Sequence, residues 1–164
     1  MTMIGGYLKV CGWLDMAARI LCGVAAVGLT GLVLGIVVLR YAFGAGFVEL
    51  QDAATYAFAV LVAFSIPVCL AQNGHVRVEV LSERLSPLYR RTADRVALAA
   101  FLIPVFGLVV WAYWPELRYS WAIREASVET GGLGGLFVVK TALPVAALLT
   151  IVQGIAANIR GDAA

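Results

Sequence analysis

Four long stretches of the chain carry no charged side chain, and short charged segments separate them. They are Ile20–Leu39, Ala53–Ala71, Val96–Pro115 and Thr141–Ile159. Each is close to the ~20 residues that cross ~30 Å of hydrocarbon at ~1.5 Å per residue. None shows the polar face that a helix on a soluble core needs. In lipid, a single segment satisfies its own backbone hydrogen bonds only as a helix. The pattern therefore predicts an all-α integral membrane protein, a single domain over residues 1–164 with four transmembrane helices. Pro67 and Pro104 fall inside the second and third spans, where each removes a backbone donor and bends its helix.

Two segments between the spans are more than turns. Over His75–Leu85, Val76, Val80 and Leu81 share one helical face and Arg77, Glu83 and Arg84 lie elsewhere. This predicts a short amphipathic helix at the membrane interface between spans two and three. Glu116–Thr130 reads as a helical continuation of span three outside the membrane, stopped by Gly131 and Gly132. In span one, Gly31 and Gly35 form a GxxxG, a face that permits close helix approach.

Composition agrees: 62% of the 164 residues are hydrophobic and 13% charged, against roughly 25% charged in a soluble domain. The net charge of +2 and the absence of a basic stripe argue against nucleic acid. Lys and Arg set the orientation. Lys9, Arg19, Arg77, Arg84, Arg90, Arg91, Arg95 and Arg160 fall on one side; Arg40, Arg118, Arg124 and Lys140 fall on the other. The positive-inside rule puts the first group, and with it both termini, in the cytoplasm. Tyr41, Phe43, Phe47, Trp111, Tyr113, Trp114, Tyr119 and Trp121 form an aromatic belt on the opposite side. The first apolar run is longer than a signal-peptide core and no small-residue cleavage site follows it, so it reads as a retained span.

Catalytic chemistry finds little support. One histidine, His75, excludes a bis-histidine haem and a two-histidine metal site. Cys11, Cys22 and Cys69 form no CxxC pair. The predicted spans hold no carboxylate near their middles, which a four-helix proton-coupled exporter would need. No cofactor is expected. His75 reads as an interfacial anchor or a pH sensor. Glu125 and Glu129, at i and i+4 on the predicted outer helix, repel weakly. They are either solvated or matched by a basic group, Lys140 in this chain or a residue of a partner.

The residues also carry a family resemblance. Arg40-Tyr41-Ala42-Phe43, Leu50-Gln51-Asp52 and Gly74-His75-Val76-Arg77-Val78-Glu79 resemble the small permease subunit of TRAP transporters, the DctQ type. Ser120-Trp121, Arg124-Glu125-Ala126-Ser127, Glu129-Thr130-Gly131-Gly132-Leu133, Lys140, Pro144 and Gln153-Gly154 look like one branch of that family. The resemblance runs from about Asp15 to Arg160. Asp52 stands where a glutamate is more usual, and Glu79 where an aspartate is. The resemblance implies a bacterial inner-membrane subunit that scaffolds a large DctM-type permease. It also implies help in docking a periplasmic DctP-type binding protein during sodium-coupled uptake of an organic acid. The sodium and substrate sites would lie in the large subunit. Gly31, Gly35, Asp52, His75, Arg77, Trp121, Glu125, Glu129 and Lys140 are the candidate partner-interface residues. A self-assembling small transporter or channel is the alternative. It requires a polar path, and Thr30, Thr55, Ser65, Thr141, Thr150 and Gln153 are few and scattered.

Overall fold

The computed structural model describes residues 2–72, 92–93 and 95–163. The predicted interfacial helix His75–Leu85, with His75 and Arg77, lies outside the described residues. Four helices are long and apolar enough to cross a membrane, and no strand occurs among the described residues. They are α1 (Thr2–Phe43), α2 (Val48–Ala71), α3 (Ile103–Ala122) and α4 (Leu136–Ala163).

The four runs seen in the sequence all become helices, but α1 is much longer than its uncharged run. Its 42 residues extend ~63 Å, twice the hydrocarbon thickness. Residues 2–19 continue the helix rather than forming a separate tail. Lys9, Asp15 and Arg19 are compatible with this because Asp15 and Arg19 stand at i and i+4 and pair at 2.8 Å, the favourable order along a helix.

Helix α4 is the centre of the bundle and touches the other three. Its seam holds Ala146, Ala147, Thr150, Gln153, Gly154 and Ala156, all buried. Small side chains let neighbouring helices approach, which is how membrane helices gain packing without a hydrophobic drive. The Thr150 hydroxyl satisfies itself on the Ala146 carbonyl at 2.8 Å. Most large apolar side chains of α1, α2 and α3 stay exposed, Val27, Phe58 and Trp111 among them. Lipid solvates such surfaces.

Pro104 has a visible effect. The turn ahead of it, Leu98–Leu102, is a π-helix, and the Ile103 N–H bonds the Leu98 carbonyl five residues back. A proline ring clashes with the carbonyl four residues earlier and offers it no proton. Widening the preceding turn relieves the clash. This turn packs on Gly154, where an added Cβ would lie 3.0 Å from the Leu98 Cδ1. Within this chain a close helix approach is made at Gly154, which the sequence reading did not single out for packing. Among the described residues nothing lies within 4 Å of a Cβ at Gly31 or Gly35, so their face is open to that extent.

Contacts between helices set their register. Cys22 Sγ meets the Leu61 carbonyl of α2 at 4.0 Å. Gln153 Nε2 donates to the Cys11 carbonyl at 2.8 Å, and the Tyr7 hydroxyl donates to the Val152 carbonyl at 2.8 Å. Arg160 donates to the Ala71 carbonyl that ends α2 at 3.5 Å, so the chain termini share one end of the bundle. Counted along the helices from the Cys22–Leu61 level, Asp15 lies ~10 Å toward that end and Ala71 ~15 Å. Asp15, paired with Arg19, lies ahead of the uncharged run Ile20–Leu39, so the expectation of no carboxylate near the middle of a span is unaffected.

Candidate functional site at the loop end of the bundle

The opposite end carries segments 44–47 and 123–135, and most of the candidate residues gather there. Helix α3 stops at Ala122, eight residues short of the predicted Thr130. The stop is a Schellman motif. Arg124 adopts a left-handed φ of 49°. Its N–H bonds the Trp121 carbonyl at 3.3 Å, and the Glu125 N–H bonds the Ser120 carbonyl at 3.0 Å. Glu125 and Glu129 therefore do not stand one helical turn apart, and the like-charge pair expected on a helix does not form.

Glu125 turns inward. Its Oε2 accepts from Lys140 Nζ at 2.6 Å and from the buried Ser120 hydroxyl at 2.5 Å. Lys140, in the second turn of α4, also reaches Glu116 Oε1 of α3 at 2.9 Å. A cation close to a helix N-terminus opposes the helix dipole, so two carboxylates around Lys140 supply what its position lacks. The Lys140 hydrogen bond first, then that of Ser120, holds the Glu125 carboxyl below its usual range.

Helix α2 grips the same loop from the other side. Asp52 Oδ2 accepts the Leu133 N–H at 2.8 Å. One turn along, the Tyr56 hydroxyl donates to the Leu133 carbonyl at 2.9 Å. That carbonyl also accepts the Ser127 N–H at 3.1 Å. Gly132 makes this possible, since an added Cβ would stand 2.6 Å from Asp52 Oδ2 and 2.5 Å from Ser127 Cβ. Gly131, with φ 84°, turns the chain before it. Trp121 closes the third side. Its Nε1 donates to Thr141 Oγ1 at 3.1 Å, and its ring meets Phe137 edge-on at 4.9 Å.

Asp52, Trp121, Glu125 and Lys140 thus converge on one anchored loop. Glu129 points away from them and is exposed; its side chain makes no ion pair or hydrogen bond among the described residues. Beside it Val128 is 94% exposed. Gly31 and Gly35 lie on α1, away from this cluster. The residues that sequence reasoning missed are Ser120, Tyr56 and Glu116, single polar groups at helix ends whose value lies in their partners. It also missed Tyr7 and Asp15 at the terminal end, and named Gln153 in the family motif and as a possible channel polar group but not as a helix contact. There, Asp15 Oδ1 and Gln153 Oε1 are buried and accept no hydrogen bond among the described residues. No group of three or more His, Cys, Asp or Glu side chains that could hold a metal occurs among the described residues.

Residues 29–163 match the family described as Tripartite ATP-independent periplasmic transporters, DctQ component. The chain belongs to the DctQ family. No curated protein and no solved structure matches it. As a DctQ component it is a small, multi-pass membrane subunit of a tripartite transporter. The matched stretch takes in the whole anchored loop and its grips from α2, α3 and α4. Tyr7, Cys11 and Asp15 lie before it.

Proposed function

We propose that this DctQ chain is a non-catalytic scaffold subunit of the importer. It pairs with a DctM-type large permease and helps dock a DctP-type binding protein for sodium-coupled uptake of an organic acid. It sits in the bacterial inner membrane with both termini cytoplasmic. The observation that carries this reading is the anchored loop 123–135. Hydrogen bonds from α2, α3 and α4 fix its backbone and leave Val128 and Glu129 facing out. A partner meets a surface already ordered, so little conformational entropy is lost on docking. Among the described residues the buried polar side chains are few and scattered: Ser120 bonds Glu125 of the loop, Thr150 its own helix, and Gln153 the Cys11 carbonyl, which supports a scaffold over a self-assembling channel.

Reconstitution tests it. The purified chain in sodium-loaded gradient liposomes should take up no carboxylate, with or without a binding protein. Adding the large subunit and binding protein should restore uptake. Sodium-driven flux through the chain alone would sink the scaffold role. Topology is tested in whole cells with an impermeant thiol reagent on V128C and S86C in a background lacking native cysteines. V128C should react and S86C should not.

A further inference from the structure

The π turn ahead of α3 leaves a backbone carbonyl without a donor. The Ala99 carbonyl would accept from Ile103 in an α-helix and from residue 104 in a π-helix. The Ile103 N–H is engaged on the Leu98 carbonyl, and Pro104 has no N–H. By the same i→i+5 pattern the Leu102 N–H is engaged on Ala97. The Ala100 carbonyl also loses its α-helical donor, because that donor would be Pro104. The polar side chains of α4, the helix on which this turn packs, do not supply a replacement. Asn158 donates to the Gly154 carbonyl at 3.3 Å, and Gln153 to the Cys11 carbonyl.

The turn is exposed on the side away from α4. Leu98 and Leu102 rest on Gly154, whereas Ala99 and Ala100 between them are exposed and Phe101 is 68% exposed. It also lies within the hydrocarbon. Ala99 is ~22 Å along the helix from Trp114 of the outer aromatic belt, and the hydrocarbon is ~30 Å thick. An unpaired carbonyl there is costly. Acyl chains carry no donor, and water is scarce at this depth. A side chain on a neighbouring membrane helix does carry one. A charged donor is disfavoured in hydrocarbon, which leaves an aliphatic hydroxyl or a carboxamide. Two adjacent alanines flank the carbonyl with methyl groups alone, so another helix can come close.

We infer that the π turn is a contact point for the large permease subunit, where a Ser, Thr, Asn or Gln side chain donates to the Ala99 carbonyl. The contact depends on the pairing with a large subunit proposed above. Pro104 leaves the carbonyl unpaired in the single chain, and assembly satisfies it. The wide turn is then a polar marker on an apolar helix face, and it selects a partner helix that brings a donor to that level.

Photo-crosslinking in the assembled transporter tests this. A diazirine-bearing amino acid at position 99 should label the large subunit on irradiation. Peptide mapping should place the adduct on a membrane segment, within one helical turn of a Ser, Thr, Asn or Gln. Replacing that residue by alanine should weaken copurification ~3-fold, the weight of one interhelical hydrogen bond in lipid. In Pro104→Ala, residue 104 regains its N–H. Ala99 is then satisfied within the helix, by residue 104 if the turn stays wide and by Ile103 if it winds as α. In that background the same alanine replacement should leave copurification unchanged. Adducts on phospholipid alone, or on a segment without such a residue, overturn the contact, and so does an equal loss in both backgrounds. A wild-type chain that fails to copurify with the large subunit overturns the pairing itself, a result distinct from all of these.

Discussion

Asp52 and Leu133 stand 81 residues apart, and the carboxylate of the first accepts the backbone N–H of the second at 2.8 Å. Tyr56 holds the carbonyl of the same residue. Two side chains one turn apart on α2 thereby hold both backbone polar groups of one loop residue. Asp52→Ala should remove a charge-assisted hydrogen bond worth ~1.5–3 kcal/mol. Hydrogen exchange at Leu133 should accelerate at least ~10-fold, while exchange in the middle of α2 stays unchanged.

Arg124 occupies the left-handed position that ends α3, a place glycine usually fills. The conformation costs a non-glycine residue ~1 kcal/mol. Arg124→Gly should therefore raise thermal stability, and the loop should keep its contacts because the arginine side chain holds none of them. A lower melting temperature would show that the arginine head carries an interaction of its own.

The ending of α3 also shows where sequence reading reaches its limit. The four apolar runs identify the spans because lipid imposes a requirement on every residue within them. The end of α3 depends on Ser120, Glu125 and Lys140 finding one another in space, and no local signal announces that. Gly131 does turn the chain, but inside a loop rather than at a helix end. The first half of α1 is hidden for a similar reason. Asp15 and Arg19 look like solvated flanking charges until their i and i+4 pairing and the packing of Cys11 on Gln153 are seen.

Glu125 gives the loop a pH dependence. Its carboxyl is held below the ordinary value of 4.5. The stabilisation is therefore complete above that value and is lost as the pH falls through the lowered pKa. A spin label at position 128 should show no change in mobility between pH 7 and about pH 5, and rising mobility only at lower pH. Lys140→Met should move the transition upward, toward the ordinary carboxylate range.

Gly132 and Gly31 make a contrasting pair. Gly132→Ala drives a methyl to 2.6 Å from Asp52 Oδ2 and should cost ~1–3 kcal/mol by overpacking. Gly31→Ala meets nothing within 4 Å and should leave the isolated chain as stable as before. If α1 uses that open face against the large subunit, Gly31→Ala should weaken copurification alone.

Glu129 and Glu125 should separate docking from loop integrity. Glu129→Lys leaves every described contact in place. It should raise the binding-protein concentration needed for half-maximal uptake roughly threefold at low salt. The effect should fade past ~0.15 M salt, where the Debye length is ~8 Å. Glu125→Lys places a second cation on Lys140 and should free the loop at any ionic strength. Identical behaviour of the two variants would mean that Glu129 has no separate role.

The π turn at Leu98–Leu102 amounts to one extra residue in an otherwise α-helical ladder. Winding the same residues as regular α-helix, with none removed, would rotate the two sides of the turn by roughly 90° relative to each other. Leu98 and Leu102 would no longer both rest on Gly154 while Trp121 stayed on Thr141. The wide turn sets the angular phase of α3, so that the contacts at its two ends fall on the same side of the helix.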